Sequence, residues 1–122
     1  MACGLSWRVW GITVVAEARD GVEVLALARE FAPDIVIMDV GMPNMDGIEA
    51  TQRLLAGQSG IKVVALSAYA DKRFIMGMLD AGAVGYVIKA EAGDELLRAI
   101  HSVMDGQAYL CPQVSSAVAE TL

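Results

Sequence analysis

A parallel α/β sheet with helices on both faces is the fold these 122 residues predict, on three observations. Asp34–Asp39 and Lys62–Ser67 each enclose an unbroken apolar run, the mark of a strand buried on both sides. Helix-length stretches with apolar residues three and four apart separate the strand-like runs. Glycines, prolines and capping acids punctuate the junctions. Strand and helix therefore alternate, which is the pattern of βαβ units with right-handed crossovers.

Taken in order, Ile12–Ala18 has the β-branched enrichment of a strand and stops at Asp20-Gly21. Gly21–Phe31 follows, with Val24, Leu25, Ala28 and Phe31 on one helical stripe. Pro33 ends that helix, because the residue before a proline is pushed out of the α region. Asp34–Asp39 is the next strand, and the chain then turns through Gly41, Pro43, Asn44 and Gly47. Asp46 is a good N-cap, with Glu49 as the return half of a capping box, so a helix is expected over Gly47–Ala56. After the strand Lys62–Ser67, Asp71 caps a helix that stops near Ala81, since Gly82 suits a left-handed C′ position. Val84–Lys89 is a fourth buried strand. Asp94–Asp105 is an amphipathic helix with Leu96, Leu97, Ile100, Val103 and Met104 inward. Glu91, Asp94 and Glu95 give it a favourable negative first turn. The tail Gln107–Leu122 turns at Pro112 and then offers Val114, Val118 and Leu122 at helical spacing.

The totals leave room for one domain with a real core. A hydrophobic content of 56% with positive mean hydropathy fits a globular chain. The longest uncharged stretch, Gly106–Ala119, is too short for a membrane span and contains Pro112. Leu5–Ala18 mimics a secretory signal, but its leading residues are uncharged and Arg8 interrupts the apolar run, so a cytoplasmic location is expected. Cys3 and Cys111 match no metal spacing and read as free thiols in a reducing compartment. A net charge of −6 argues against direct nucleic-acid binding.

Three polar residues end three consecutive strands: Asp39, Ser67 and Lys89. In a parallel sheet all three project from the carboxyl edge, where open α/β folds hold their ligands. A carboxylate, a hydroxyl and an ammonium gathered there make a small anion site with a nucleophile in it. Gly41 lets the backbone pass close to whatever Asp39 carries. Alone, an Asp after a buried strand reads more readily as a turn or cap. The joint pattern with Ser67 and Lys89 reverses that reading.

Asp39-Val40-Gly41-Met42-Pro43-Asn44-Met45-Asp46-Gly47 resembles the phosphoacceptor segment of bacterial response-regulator receiver domains. Ser67-Ala68 stands where that family has its Ser/Thr switch and small residue, Tyr86 at its aromatic switch and Lys89 at its lysine. Gly82–Lys89 and Gly106–Pro112 resemble the subfamily whose receiver precedes a helix-turn-helix output domain. The resemblance implies a flavodoxin-like sheet, with 1–10 a remnant of a first helix or an unrelated start, 11–106 the receiver core and 107–122 a connector. It implies Asp39 as acceptor of a phosphoryl group from a sensor histidine kinase, not an enzyme with its own substrate. Ser67, the Ala68 amide and Lys89 would hold the phosphoryl oxygens, and Ser67 and Tyr86 would form the switch. Mg²⁺ would sit on Asp39 and the Gly41 carbonyl.

One departure from the family changes the expectations. Receivers open with a central strand ending in two adjacent acids that hold the Mg²⁺, then a full first helix. Met1–Trp10 contains no Asp or Glu, and Leu5–Trp10 is expected to be the last turns of that helix or an unrelated start. The usual first strand is thus expected to be missing, and Ile12–Ala18 to pair with Asp34–Asp39 or offer its edge to another chain. Trp7, Trp10 and uncovered apolar surface beside Asp94–Asp105 then favour self-association. Mg²⁺ binding and phosphorylation are expected to be weak, with Glu17 the one carboxylate that could shift inward. The alternative is a phosphate-independent pseudo-receiver used for dimerisation or partner binding. His101 reads as a solvated surface residue and the seven methionines as packing.

Overall fold

Helix boundaries fall where the caps put them. The computed structural model describes residues 7–9, 12–14, 16–41, 45–58, 60–68, 70–89 and 92–121. Helix α1 (Gly21–Phe31) starts on Asp20, whose side chain accepts from the Glu23 amide, and closes at Ala32 with φ 44° just before Pro33. Helix α2 (Gly47–Gly57) starts on Asp46, which accepts from the Glu49 amide at 2.8 Å. The Glu49 carboxylate turns instead to Arg53, at 3.5 Å. Helix α3 (Lys72–Asp80) starts on Asp71. It ends where Gly82, at φ +111°, takes the left-handed turn expected of it. Arg73 bonds the Asp71 carboxylate and holds its pKa below the ordinary value.

Strands β3 (Ile35–Asp39), β4 (Lys62–Ser67) and β5 (Gly85–Ile88) form a parallel sheet, extended beyond β5 by the short strand β6 (Tyr109–Leu110). One face carries Val36, Met38, Val63, Ala65, Tyr86 and Ile88 into a core completed by α1, α2, α3 and the last helix, α5 (Pro112–Thr121). The other face packs Val64 and Val87 on Ala99 and Val103 of α4 (Ala92–Met104). Ile35 and Ile37 lie at the margin of this second core and are only partly buried. Met104, expected inward, is 46% exposed: the buried stripe of α4 runs through Ala99, Ile100 and Val103, and Met104 falls one step off it at the helix end.

The start of the chain differs from expectation. Trp7–Val9 is not the end of a helix but a strand, β1, antiparallel to β2 (Ile12–Val14), with Trp7 opposite Val14. The expected strand Ile12–Ala18 is shorter, and its hydrogen bonds go to β1 rather than to β3. Two strands separated by two residues pair as a hairpin. A parallel partnership would need a connection of about a dozen residues. Trp10, invoked for self-association, lies outside the described residues, as do Cys3 and Leu122.

This leaves one edge open. The Lys62 amide donates to the Asp34 carbonyl and the Val40 amide to the Leu66 carbonyl. With Val36 opposite Val63 and Met38 opposite Ala65, the even-numbered residues of β3 bond to β4. The amides and carbonyls of Ile35, Ile37 and Asp39 therefore face outward, and no strand among the described residues lies beyond them.

Candidate functional site at the carboxyl edge of the sheet

Asp39 closes β3, Ser67 closes β4 and Lys89 follows β5, so the parallel register brings all three to one rim. The outer strands stand about 10 Å apart, two strand spacings. The flexible Lys89 stem crosses that distance over the end of β4, and its ammonium lies 2.5 Å from Asp39 Oδ2. The other carboxylate oxygen, Oδ1, accepts from the Gly41 amide at 2.9 Å. Both side chains stay partly solvated, so the contact adds at most about 1 kcal/mol to stability. Its value is positional. A carboxylate is held at the rim with a cation and an amide already turned toward it.

The turn after β3 is pinned from two sides, by the Val40 amide on the Leu66 carbonyl and the Gly47 amide on the Val40 carbonyl, both at 3.1 Å. A side chain on Gly47 would stand 2.7 Å from the Asp39 carbonyl oxygen and 2.9 Å from the Val40 Cα. Only glycine lets α2 start this close to the strand that carries Asp39. Sequence reasoning used Gly47 as a turn signal and missed this contact, because nothing in the local pattern shows which backbone a helix will touch.

Ser67 is buried, Ala68 beside it is exposed, and Tyr86 opposite Ala65 is wholly enclosed. The phenol oxygen makes no hydrogen bond to protein. Burial raises its pKa above the usual 10, the Ser67 hydroxyl pulls the other way without completing a hydrogen bond, and Asp71 and Cys111 add to the rise. Ser67 and Tyr86 are thus neighbours, on adjacent strands, between Asp39 and the far edge of the sheet.

A magnesium site does not fit the described donors. Both Asp39 oxygens already meet a cation or an N–H. No group of three His, Cys, Asp or Glu side chains among the described residues could hold a metal ion. Glu17 is exposed and follows β2, which belongs to the hairpin and not to the parallel sheet. His101 is exposed on α4, as expected.

A sheet of this order, with an acid, a hydroxyl and an amine ending its strands at one rim, defines an open α/β domain with a charged site at its carboxyl edge. The chain belongs to the response regulator receiver domain family, whose model matches residues 5–101. It is 42% identical over 109 residues to the response regulator GacA of Pseudomonas aeruginosa, covering 89% of this chain and 51% of that protein. It is 34% identical to the response regulator UvrY of Escherichia coli, covering 89% of this chain and 50% of that one. A crystal structure of a LuxR-family two-component response regulator from Aurantimonas superposes with a TM-score of 0.82 at 32% identity, over 88% of this chain and 76% of that one. The chain spans about half the length of these curated relatives. No helix among the described residues is long and apolar enough to cross a membrane.

Proposed function

We propose that this receiver domain accepts a phosphoryl group on Asp39 from the phosphohistidine of a sensor histidine kinase, within a response regulator that controls transcription. One observation carries the reading: the Lys89 ammonium 2.5 Å from an Asp39 oxygen at the carboxyl rim. A carboxylate oxygen attacks phosphorus as the phosphorus–nitrogen bond breaks, and the electron pair leaves on the imidazole. Lys89 then passes from the carboxylate to a phosphoryl oxygen, and the Ser67 hydroxyl and Ala68 amide take the other two. Transfer of this kind needs positioning and charge neutralisation more than covalent help. The domain is a stoichiometric acceptor rather than an enzyme, it works in the cytoplasm, and its acidic surface is not a nucleic-acid interface.

The test is intact mass and peptide mapping after prolonged incubation with acetyl phosphate. One phosphoryl group is expected on Asp39, lost on hydroxylamine treatment and absent from Asp39→Asn. Equal labelling of Asp39→Asn would place the acceptor elsewhere and end this reading.

A second reading has its own support. With both Asp39 oxygens engaged and no carboxylate cluster among the described residues, the domain serves as a phosphate-independent interaction module. The open edge of β3 suits that role, since Ile35–Met38 has none of the lysines or prolines that blunt natural sheet edges. Pairing of two copies through this edge is expected to give a dimer at micromolar concentration. Sedimentation velocity checks it: Ile37→Lys should shift the boundary to monomer, and a monomeric wild-type chain would remove the dimer from this reading.

A further inference from the structure

We infer that Lys89 captures Asp39 once that residue is phosphorylated, closing an amide between the two side chains and expelling inorganic phosphate. The inference rests on the acceptor reading above. The Lys89 nitrogen stands 2.5 Å from Asp39 Oδ2, although the two residues are 50 apart in sequence. Among the described residues Asp39 is the only group that this ammonium bonds. Both side chains are partly solvated, so the lysine stem is free to swing from the edge of the carboxyl group to its face.

A carboxylate is inert to an amine in water, because it has no leaving group. An acyl phosphate has one. The Lys89 nitrogen adds to the Asp39 carbonyl carbon, the bond from that carbon to the bridging oxygen breaks, and the electron pair leaves on phosphate. Of the three ammonium protons, one stays on the amide nitrogen and two depart with the phosphate. No reactant beyond the phosphodonor is needed. A well-oriented neighbour acts at an effective concentration of up to about 10⁵–10⁸ M, which is what sets this nucleophile ahead of bulk water. The backbone rivals are engaged elsewhere. The Val40 amide, which would close a succinimide, donates to the Leu66 carbonyl at 3.1 Å, and the Gly41 amide donates to Asp39 Oδ1 at 2.9 Å. The product ties the end of β3 to the end of β5 and leaves no carboxylate at position 39, so the domain accepts a phosphoryl group only once.

The test is intact mass and tryptic mapping of the full 122-residue chain after incubation with phosphoramidate, a donor that carries no acyl group. Samples are taken with and without a hydroxylamine quench. A product about 18 Da lighter than the starting chain, the loss of one water, is expected to accumulate and to survive hydroxylamine. Mapping is expected to show peptides 30–53 and 74–98 joined through Asp39 and Lys89, with no cleavage after Lys89. Early quenched samples report the acyl phosphate itself, as a hydroxamate at Asp39. A hydroxamate without joined peptides would overturn the capture and leave the acceptor reading standing. A lighter product that hydroxylamine removes is a succinimide at Asp39-Val40 and overturns the capture as well. Finding neither hydroxamate nor joined peptides overturns both.

Discussion

Phosphoryl transfer to Asp39 in this 122-residue chain is expected to run about a thousandfold below the rate of a magnesium-loaded receiver, and Mg²⁺ is expected to change it by less than about threefold. The incoming group brings roughly −1.5 to −2 charges. Asp39 contributes one negative charge at the rim and Lys89 one positive, 2.5 Å away, so the pair is already neutral before the phosphoryl group arrives. At an effective dielectric of ~20 and ~4 Å, each uncompensated unit pair costs on the order of 4 kcal/mol. Spread over the transition state, one such pair corresponds to about three decades of rate. Initial rates with a small-molecule phosphodonor, taken in millimolar Mg²⁺ and again with a chelator, measure this. An acceleration above tenfold by Mg²⁺ would mean that another carboxylate, Glu17 being the candidate named from the sequence, reaches Asp39 in solution.

The second large effect lies in the backbone under the site. Gly47→Ala is expected to destabilise the domain by about 1–3 kcal/mol, the cost of overpacking a site whose neighbours cannot rotate aside. The atoms in the way are the Asp39 carbonyl oxygen at 2.7 Å and the Val40 Cα at 2.9 Å, and both are main chain. Helix α2 must then back away from β3, drawing the Gly47 amide off the Val40 carbonyl and loosening the turn that presents Asp39. Gly57→Ala, at the other end of the same helix, meets nothing within 4 Å. It should be neutral or stabilising by up to about 1 kcal/mol through the unfolded chain. Urea denaturation of both variants compares them directly. Equal stability would show that the helix can shift without strain and that Gly47 is only a turn residue.

Local chemistry was the legible part of this fold. The boundaries of α1 and β4 were readable to the residue, because Pro33 stops the one and Lys62 and Ser67 frame an unbroken apolar run in the other. Asp46 and Asp71 could be named as caps for the same reason: a cap depends on the two or three residues that follow it. The convergence of Asp39, Ser67 and Lys89 was also readable, since each ends an apolar run and a parallel sheet has only one carboxyl edge. The hairpin Trp7–Val9 with Ile12–Val14 was not, nor was the strand Tyr109–Leu110. Three residues and two residues are too few to carry a period, so their state follows from the neighbour that bonds them.

By itself, then, the order of side chains determined the longer strands and helices, the caps at Asp20, Asp46 and Asp71, and which polar groups meet at one rim. Tertiary structure alone decided that β2 pairs with β1 and that no strand among the described residues covers the outer edge of β3, that β6 closes the edge of β5, and that Tyr86 is enclosed with its hydroxyl unbonded. The division has a physical cause. Periodicity and capping act over a few residues of chain, whereas strand partners, close backbone approach at Gly47 and the seat under Cys111 and Val114 are made by segments far apart in sequence, chosen by which arrangement hides the most apolar surface while leaving the fewest polar groups unpaired.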